Sequence, residues 1–139
     1  MLTIDFVAGR VRGELRLAPG EIRLLEREIG HALRLREPET VSCAYINEET
    51  MQKLNKQFRG KDAPTDVLAF AYPDEEVIGE VLVCPAVARR QALHVNRTAK
   101  QEAKELIVHG VLHVFGFDHI HPKDERVMLS LQKKILDRL

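Results

Sequence analysis

Apolar and polar residues alternate from Leu2 to Val7 (LTIDFV), the period-two pattern of a half-buried strand. Leu15 and Leu17 keep that alternation after Gly13, so further extended chain is expected there. At Pro19 the period changes. Ile22, Leu25, Ile29 and Leu33 recur three or four apart, and Pro19 suits a first helical turn, which predicts a helix closing before Pro38. Thr40 to Ile46 (TVSCAYI) reads as a strand, Asn47 as an N-cap, and Glu48 to Phe58 as a helix with Met51, Leu54 and Phe58 on one face. Phe58 to Asp66 (FRGKDAPTD) has the glycine, proline and charge of a loop. Two short apolar strands follow, Val67 to Tyr72 and Val77 to Cys84. Only Pro73 to Glu76 separates them, which predicts antiparallel pairing. Pro85 opens a helix to about Val95. Thr98 or a neighbour caps the next, which runs to about Phe115 with Gly116 as the residue that stops it. A last amphipathic helix spans about Lys123 to Leu136, its apolar side drawn through Val127, Leu131 and Ile135. The expected fold class is α+β: a single domain over residues 1–139, with a mixed sheet of about four strands covered by helices.

Composition narrows the class without naming a function. The 139 residues carry 21 Lys plus Arg against 21 Asp plus Glu, which excludes a globally basic nucleic-acid binder and leaves room for a local basic patch. No apolar stretch reaches the length of a membrane span, and MLTIDFVAGR lacks the layout of a signal peptide. Cys43 and Cys84 sit inside apolar segments, as buried thiols in a reducing compartment do, so a cytoplasmic protein is expected.

The chemistry concentrates in Val108 to Ile120, VHGVLHVFGFDHI. His109 and His113, four apart on a helix, project from one face and can reach one ion. Gly116 ends the helix, and the reversing chain can return His119 to the same point. The spacing H-x3-H-x2-G-x2-H is similar to that of the metzincin zinc proteases. Three neutral imidazoles suit zinc, one ion per chain, and leave a fourth position open as catalytic sites do; another divalent transition metal is an alternative. One departure is informative. Gly110 occupies the position of a protease's general-base Glu, and a glycine takes no proton. Asp118 is the carboxylate placed to orient a ligand or act as base, or simply to shape a turn. His31, His94 and His121 are left outside the site.

Beyond HGVLHVFGFDH (His109 to His119), the chain carries Leu54-Asn55, Phe58-Arg59, PTDVLAF (Pro64 to Phe70), IGEV (Ile78 to Val81), Gln91-Ala92 and Met128. Together these motifs resemble the YbeY-type rRNA maturation factors, metal-dependent endoribonucleases of bacteria, from about residue 45 to the C-terminus and more loosely before it. The resemblance implies a zincin-like α+β fold, metal on His109, His113 and His119, and cleavage specific for single-stranded RNA. It further implies a role in maturing the 3′ end of small-subunit ribosomal RNA and in ribosome quality control, with the small subunit as partner and Arg59 as the functionally important arginine. Ala69 stands where the family usually has Ser, and Glu80 where it usually has Asp, which puts details of the pocket in question.

The residues themselves fit an RNA substrate. Arg59 lies near Lys56 and Lys61, and a planar guanidinium suits bidentate phosphate contacts. A second basic set, Arg89, Arg90, Arg97, Lys100 and Lys104, reads either as a track for the RNA backbone or as a solvated helix face. With no Trp, two Tyr and five Phe, backbone contact is expected over sequence-specific base reading. Neither DNA nor a membrane is an expected partner. Two other readings stay open: a zinc peptidase or other metal hydrolase on the same ligands, and a non-catalytic ribosome-assembly factor whose zinc is structural.

Overall fold

The computed structural model describes residues 1–7, 15–118 and 120–139. Along the chain these form β1 (Leu2–Val7), α1 (Pro19–Ala32), β2 (Glu39–Tyr45), α2 (Glu48–Arg59), β3 (Val67–Ala71), β4 (Val77–Val83), α3 (Pro85–His94), α4 (Ala99–Val114) and α5 (Pro122–Leu136). The strands make one mixed sheet in the order β1-β2-β4-β3. β1, β2 and β4 run parallel, and β3 returns antiparallel to β4 with Ala69 opposite Val81 and Ala71 opposite Gly79. The Val67–Val83 hairpin was expected; its insertion so that β4 separates β2 from β3 was not visible locally. Leu15 and Leu17 correct an expectation, for both lie outside any strand. They are buried all the same, and the Leu15 carbonyl accepts a 2.9 Å hydrogen bond from the Tyr45 hydroxyl instead of a ladder bond.

Strand alternation sorts the sheet into two unequal faces. Leu2, Ile4, Val41, Cys43, Tyr45, Val81, Val83 and Val67 point to one side, where they join Leu25 and Ile29 of α1, Ala88 of α3, the apolar surface of α4, and Met128 and Ile135 of α5. On the other side Leu68, Leu82 and Cys84 meet Met51 of α2, with Leu54, Ala44 and Phe70 packed around them. Asp5, Ser42 and Glu80 share that second face in register, so α2 covers only its β3–β4 half. The outer border of β1 is not bare: the Glu26 carboxylate accepts a 2.7 Å hydrogen bond from the Ile4 N–H.

Helix α4 is the centre of the molecule, with Ala103, Ile107, Val108, Val111 and Leu112 fully buried. Its start is fixed by a capping box in which the Thr98 side chain accepts from the Gln101 N–H and the Gln101 side chain accepts from the Thr98 N–H. Two glycines set its distance from the sheet. A Cβ on Gly110 would stand 2.5 Å from Cγ1 of Val81, and one on Gly79 of β4 would stand 2.3 Å from Cγ1 of Val114 and 2.8 Å from the Phe70 carbonyl oxygen. Helix and sheet therefore interlock at two levels, one glycine from each side.

Candidate metal centre and active site

The close seating of α4 decides where its polar side chains go. Gly110 faces Val81 and Val67, so the position next to His109 looks into the sheet, and a glutamate would have no room there. His109 and His113, on another side of the helix, are half-buried. Their Nε2 atoms are 3.2 Å apart and the ring planes are inclined at 76°. Tetrahedral coordination with bonds of about 2.1 Å places two ligand nitrogens about 3.4 Å apart, so this pair can hold one ion between its Nε2 atoms. The donor set of two neutral imidazoles fits a borderline-soft divalent metal.

Past Val114 the helix closes as the sequence predicts. Gly116 has φ 96°. Its N–H donates to the His113 carbonyl at 3.0 Å, and the Phe117 N–H donates to the Leu112 carbonyl at 3.1 Å, the two bonds of a Schellman turn. Half-buried Phe117 packs on the core and anchors the reversal. Asp118 follows, and one of its carboxylate oxygens accepts from the Ile120 N–H at 2.9 Å. His119, the third expected ligand, lies outside the described residues. His31, His94 and His121 are exposed.

The site also recruits two residues that the sequence pattern did not single out. The buried stripe of α5 runs through Met128, Gln132 and Ile135, and Val127, expected on it, is exposed. Gln132 reaches across to α4, where its Oε1 lies 2.9 Å from Nδ1 of His109. Its Nε2 donates to Glu105 at 3.2 Å. Glu105 in turn pairs with Arg97, which also faces Glu102 at 3.6 Å. Burial pushes the Glu102 carboxyl above its ordinary value; Arg97 opposes this, and Glu105 and Asp66 reinforce it. A polar residue inside an apolar stripe was the signal for Gln132.

Arg59 is the last residue of α2 and is exposed, with no ion pair among the described residues. Local structure fixes its position. Gly60, at φ 71°, stops the helix, buried Asn55 donates to the Ala63 carbonyl at 2.8 Å, and Phe58 meets Phe70 edge-on at 5.1 Å. Asp66 then starts β3: its Oδ1 accepts from the Val67 N–H at 2.7 Å, and its Oδ2 accepts from Gln91 at 3.2 Å. The PTDVL segment is thereby tied to α3. Helix α2, which carries Arg59, packs on the face of the sheet opposite α4, which carries the imidazoles, and the Phe58 ring beside Arg59 meets Phe70 of β3.

A family profile described as Endoribonuclease YbeY matches residues 21–139. The chain belongs to this family. The Endoribonuclease YbeY of Thermotoga maritima is 39% identical over 100 residues, covering 71% of this chain and 67% of the relative. That of Nitrosomonas eutropha is 36% identical over 139 residues, covering 99% and 93%. A solution structure of a Thermotoga maritima protein superposes with a TM-score of 0.66 at 30% identity, over 98% of this chain and 88% of that one. As a member of the YbeY endoribonucleases the chain is an RNA-cleaving hydrolase.

Within that family setting, the two departures in sequence fall on different sides of the sheet. Ala69 packs against the main core on the α4 face, whereas Glu80 is on the other face and accepts from the Tyr72 hydroxyl at 3.3 Å. Four members of the second basic set are paired with acids. Arg90 pairs with Glu48 at 2.7 Å, Lys100 and Lys104 with Glu21 at 3.1 and 2.8 Å, and Arg97 with Glu102 and Glu105. Lys56 lies 3.9 Å from Asp62, a loose and exposed pair. The thiol of Cys43 is fully buried, and burial pushes its pKa up, so it is no soft ligand in waiting. Among the described residues no helix is long and apolar enough to cross a membrane.

Proposed function

We propose that the chain is a zinc-dependent endoribonuclease specific for single-stranded RNA, acting in maturation of the 3′ end of small-subunit ribosomal RNA and in ribosome quality control. The observation that carries the metal reading is the 3.2 Å approach of the two Nε2 atoms of His109 and His113 on one helix face. His119, beyond the Gly116 reversal, completes the ligand set in this reading. Zinc held there supplies Lewis acidity at the scissile phosphodiester. Arg59 binds phosphate through its guanidinium fork and offsets the negative charge that grows in the transition state. Gly110 carries no proton acceptor, which disfavours a peptidase, and Asp118 and the substrate phosphate are the candidate acceptors for the proton. The ribosomal substrate and the small subunit as partner rest on family membership and on the motifs around Arg59 and PTDVL.

The test is incubation of purified protein with single-stranded and duplex RNA, with and without chelator. Cleavage of the single strand alone, lost on chelation and restored by zinc, is expected, as is faithful trimming of a small-subunit rRNA precursor. His113→Ala should lose both metal and cleavage. Full cleavage by a metal-free His113→Ala protein would overturn the metal reading, and cleavage of casein with no action on RNA would favour the peptidase.

A further inference from the structure

We propose that Gln132 is a positioning residue for the metal centre: held by Glu105, its amide fixes His109 as the Nδ1–H tautomer and leaves Nε2 as the coordinating nitrogen. The inference rests on the metal reading above and adds to it residues from two helices. A primary amide has two unlike ends, an oxygen that accepts and a nitrogen that donates. The carboxylate of Glu105 only accepts, so the Gln132 atom 3.2 Å from it is the NH2 group. The opposite end, 2.9 Å from His109 Nδ1, is then the carbonyl oxygen, and Nδ1 must bear the proton. A neutral imidazole has one N–H, so Nε2 of His109 carries the lone pair, on the side that faces Nε2 of His113.

The chain of contacts behind the amide resists a flip. Glu105 is engaged through its second oxygen by Arg97, and Arg97 also donates to the Gln101 carbonyl at 3.0 Å. Gln132 itself is 7% exposed, so an amide turned the wrong way would set its carbonyl oxygen against the Glu105 carboxylate, two acceptors facing each other in a buried place. Its place in the α5 stripe between Met128 and Ile135 would suit an apolar side chain for packing alone. Outer hydrogen bonds of this kind orient ligating imidazoles and raise their basicity.

Long-range proton–nitrogen correlation spectra of the metal-free protein, taken with the imidazoles neutral, read the tautomer directly. Wild-type His109 should be Nδ1–H. In Gln132→Met, which keeps length and removes the acceptor, a mixture containing Nε2–H is expected. Zinc affinity, measured by competition with a chromophoric chelator, should fall about 10- to 100-fold. A role confined to packing would change the melting point of the metal-free protein and leave the tautomer alone. Should Gln132→Met fail to fold, Glu105→Met frees the amide to turn and should move the spectrum the same way by less. An Nε2–H His109 in the wild type, or an unchanged tautomer and affinity in folded Gln132→Met, overturns the proposal. A wild-type protein that binds no zinc would overturn the metal reading instead, since the spectrum is recorded without metal.

Discussion

Gly110 shows how one residue can mean less in a sequence than in a fold. Along the chain it registers only as a missing base, whereas in the structure it is the position where Val81 meets the helix. Gly110→Ala gains helix propensity of about 1 kcal/mol but forces a methyl against a fully buried, rotamer-restricted valine, so a net loss of roughly 1–3 kcal/mol is expected by urea denaturation. Val81→Ala combined with it should recover part of that loss, a coupling that independent sites would not show. At Arg59 the expectation concerns rate. Arg59→Ala should lower kcat on single-stranded RNA by about 10²–10³, with Arg59→Lys between, because lysine keeps the charge and loses the fork. The histidine pair and Gly116 were legible because their geometry is written within one turn of helix. Gln132 was not: its meaning depends on which side of α5 faces α4, and the apolar stripe is rotated from the one that Val127 suggested.

Helices and strands were recoverable almost to their ends because their stop signals are local, as at Asn47, whose side chain accepts from the Thr50 N–H at 2.8 Å. Pairings between elements were not. Glu21 of α1 and Lys100 of α4 lie 79 positions apart, and nothing in a run of charges says which acid each base will meet. That junction has a measurable signature. Burial alone would raise the Glu21 carboxyl, but hydrogen bonds from Lys104, the Ala18 N–H and Lys100 bring it down to about 2 from an ordinary 4.5. A carboxylate so held stabilises the fold fully above its unfolded value and loses that contribution as pH falls through the folded one. Glu21→Gln should cost about 2 kcal/mol at pH 7, after allowing for its partial exposure, when thermal unfolding is compared with wild type. The difference should persist down to pH 4.5 and close as pH approaches about 2.

At the scale of the molecule, basic and acidic residues are equal in number, and Arg90, Arg97, Lys100 and Lys104 are paired with acids. Binding to single-stranded RNA should accordingly depend weakly on salt. A logarithmic slope of about −1 to −2 is expected from contacts at Arg59 and Lys61, and Arg59→Ala should flatten it by about 0.7. A slope several times steeper would place RNA on a wider surface than these two residues. Among the described residues the sheet, in the order β1-β2-β4-β3, has β1 and β3 at its borders. Along β1 the Glu26 carboxylate occupies the Ile4 N–H, the group through which a strand from a neighbouring molecule would begin to pair. A negative charge at that spot repels another copy's matching charge as well as blocking the bond. Glu26→Ala should thus leave the monomer folded and make it sticky, with light scattering that rises with concentration where the wild type stays flat. One side chain of α1 acts, in effect, as the molecule's guard against joining sheets with itself.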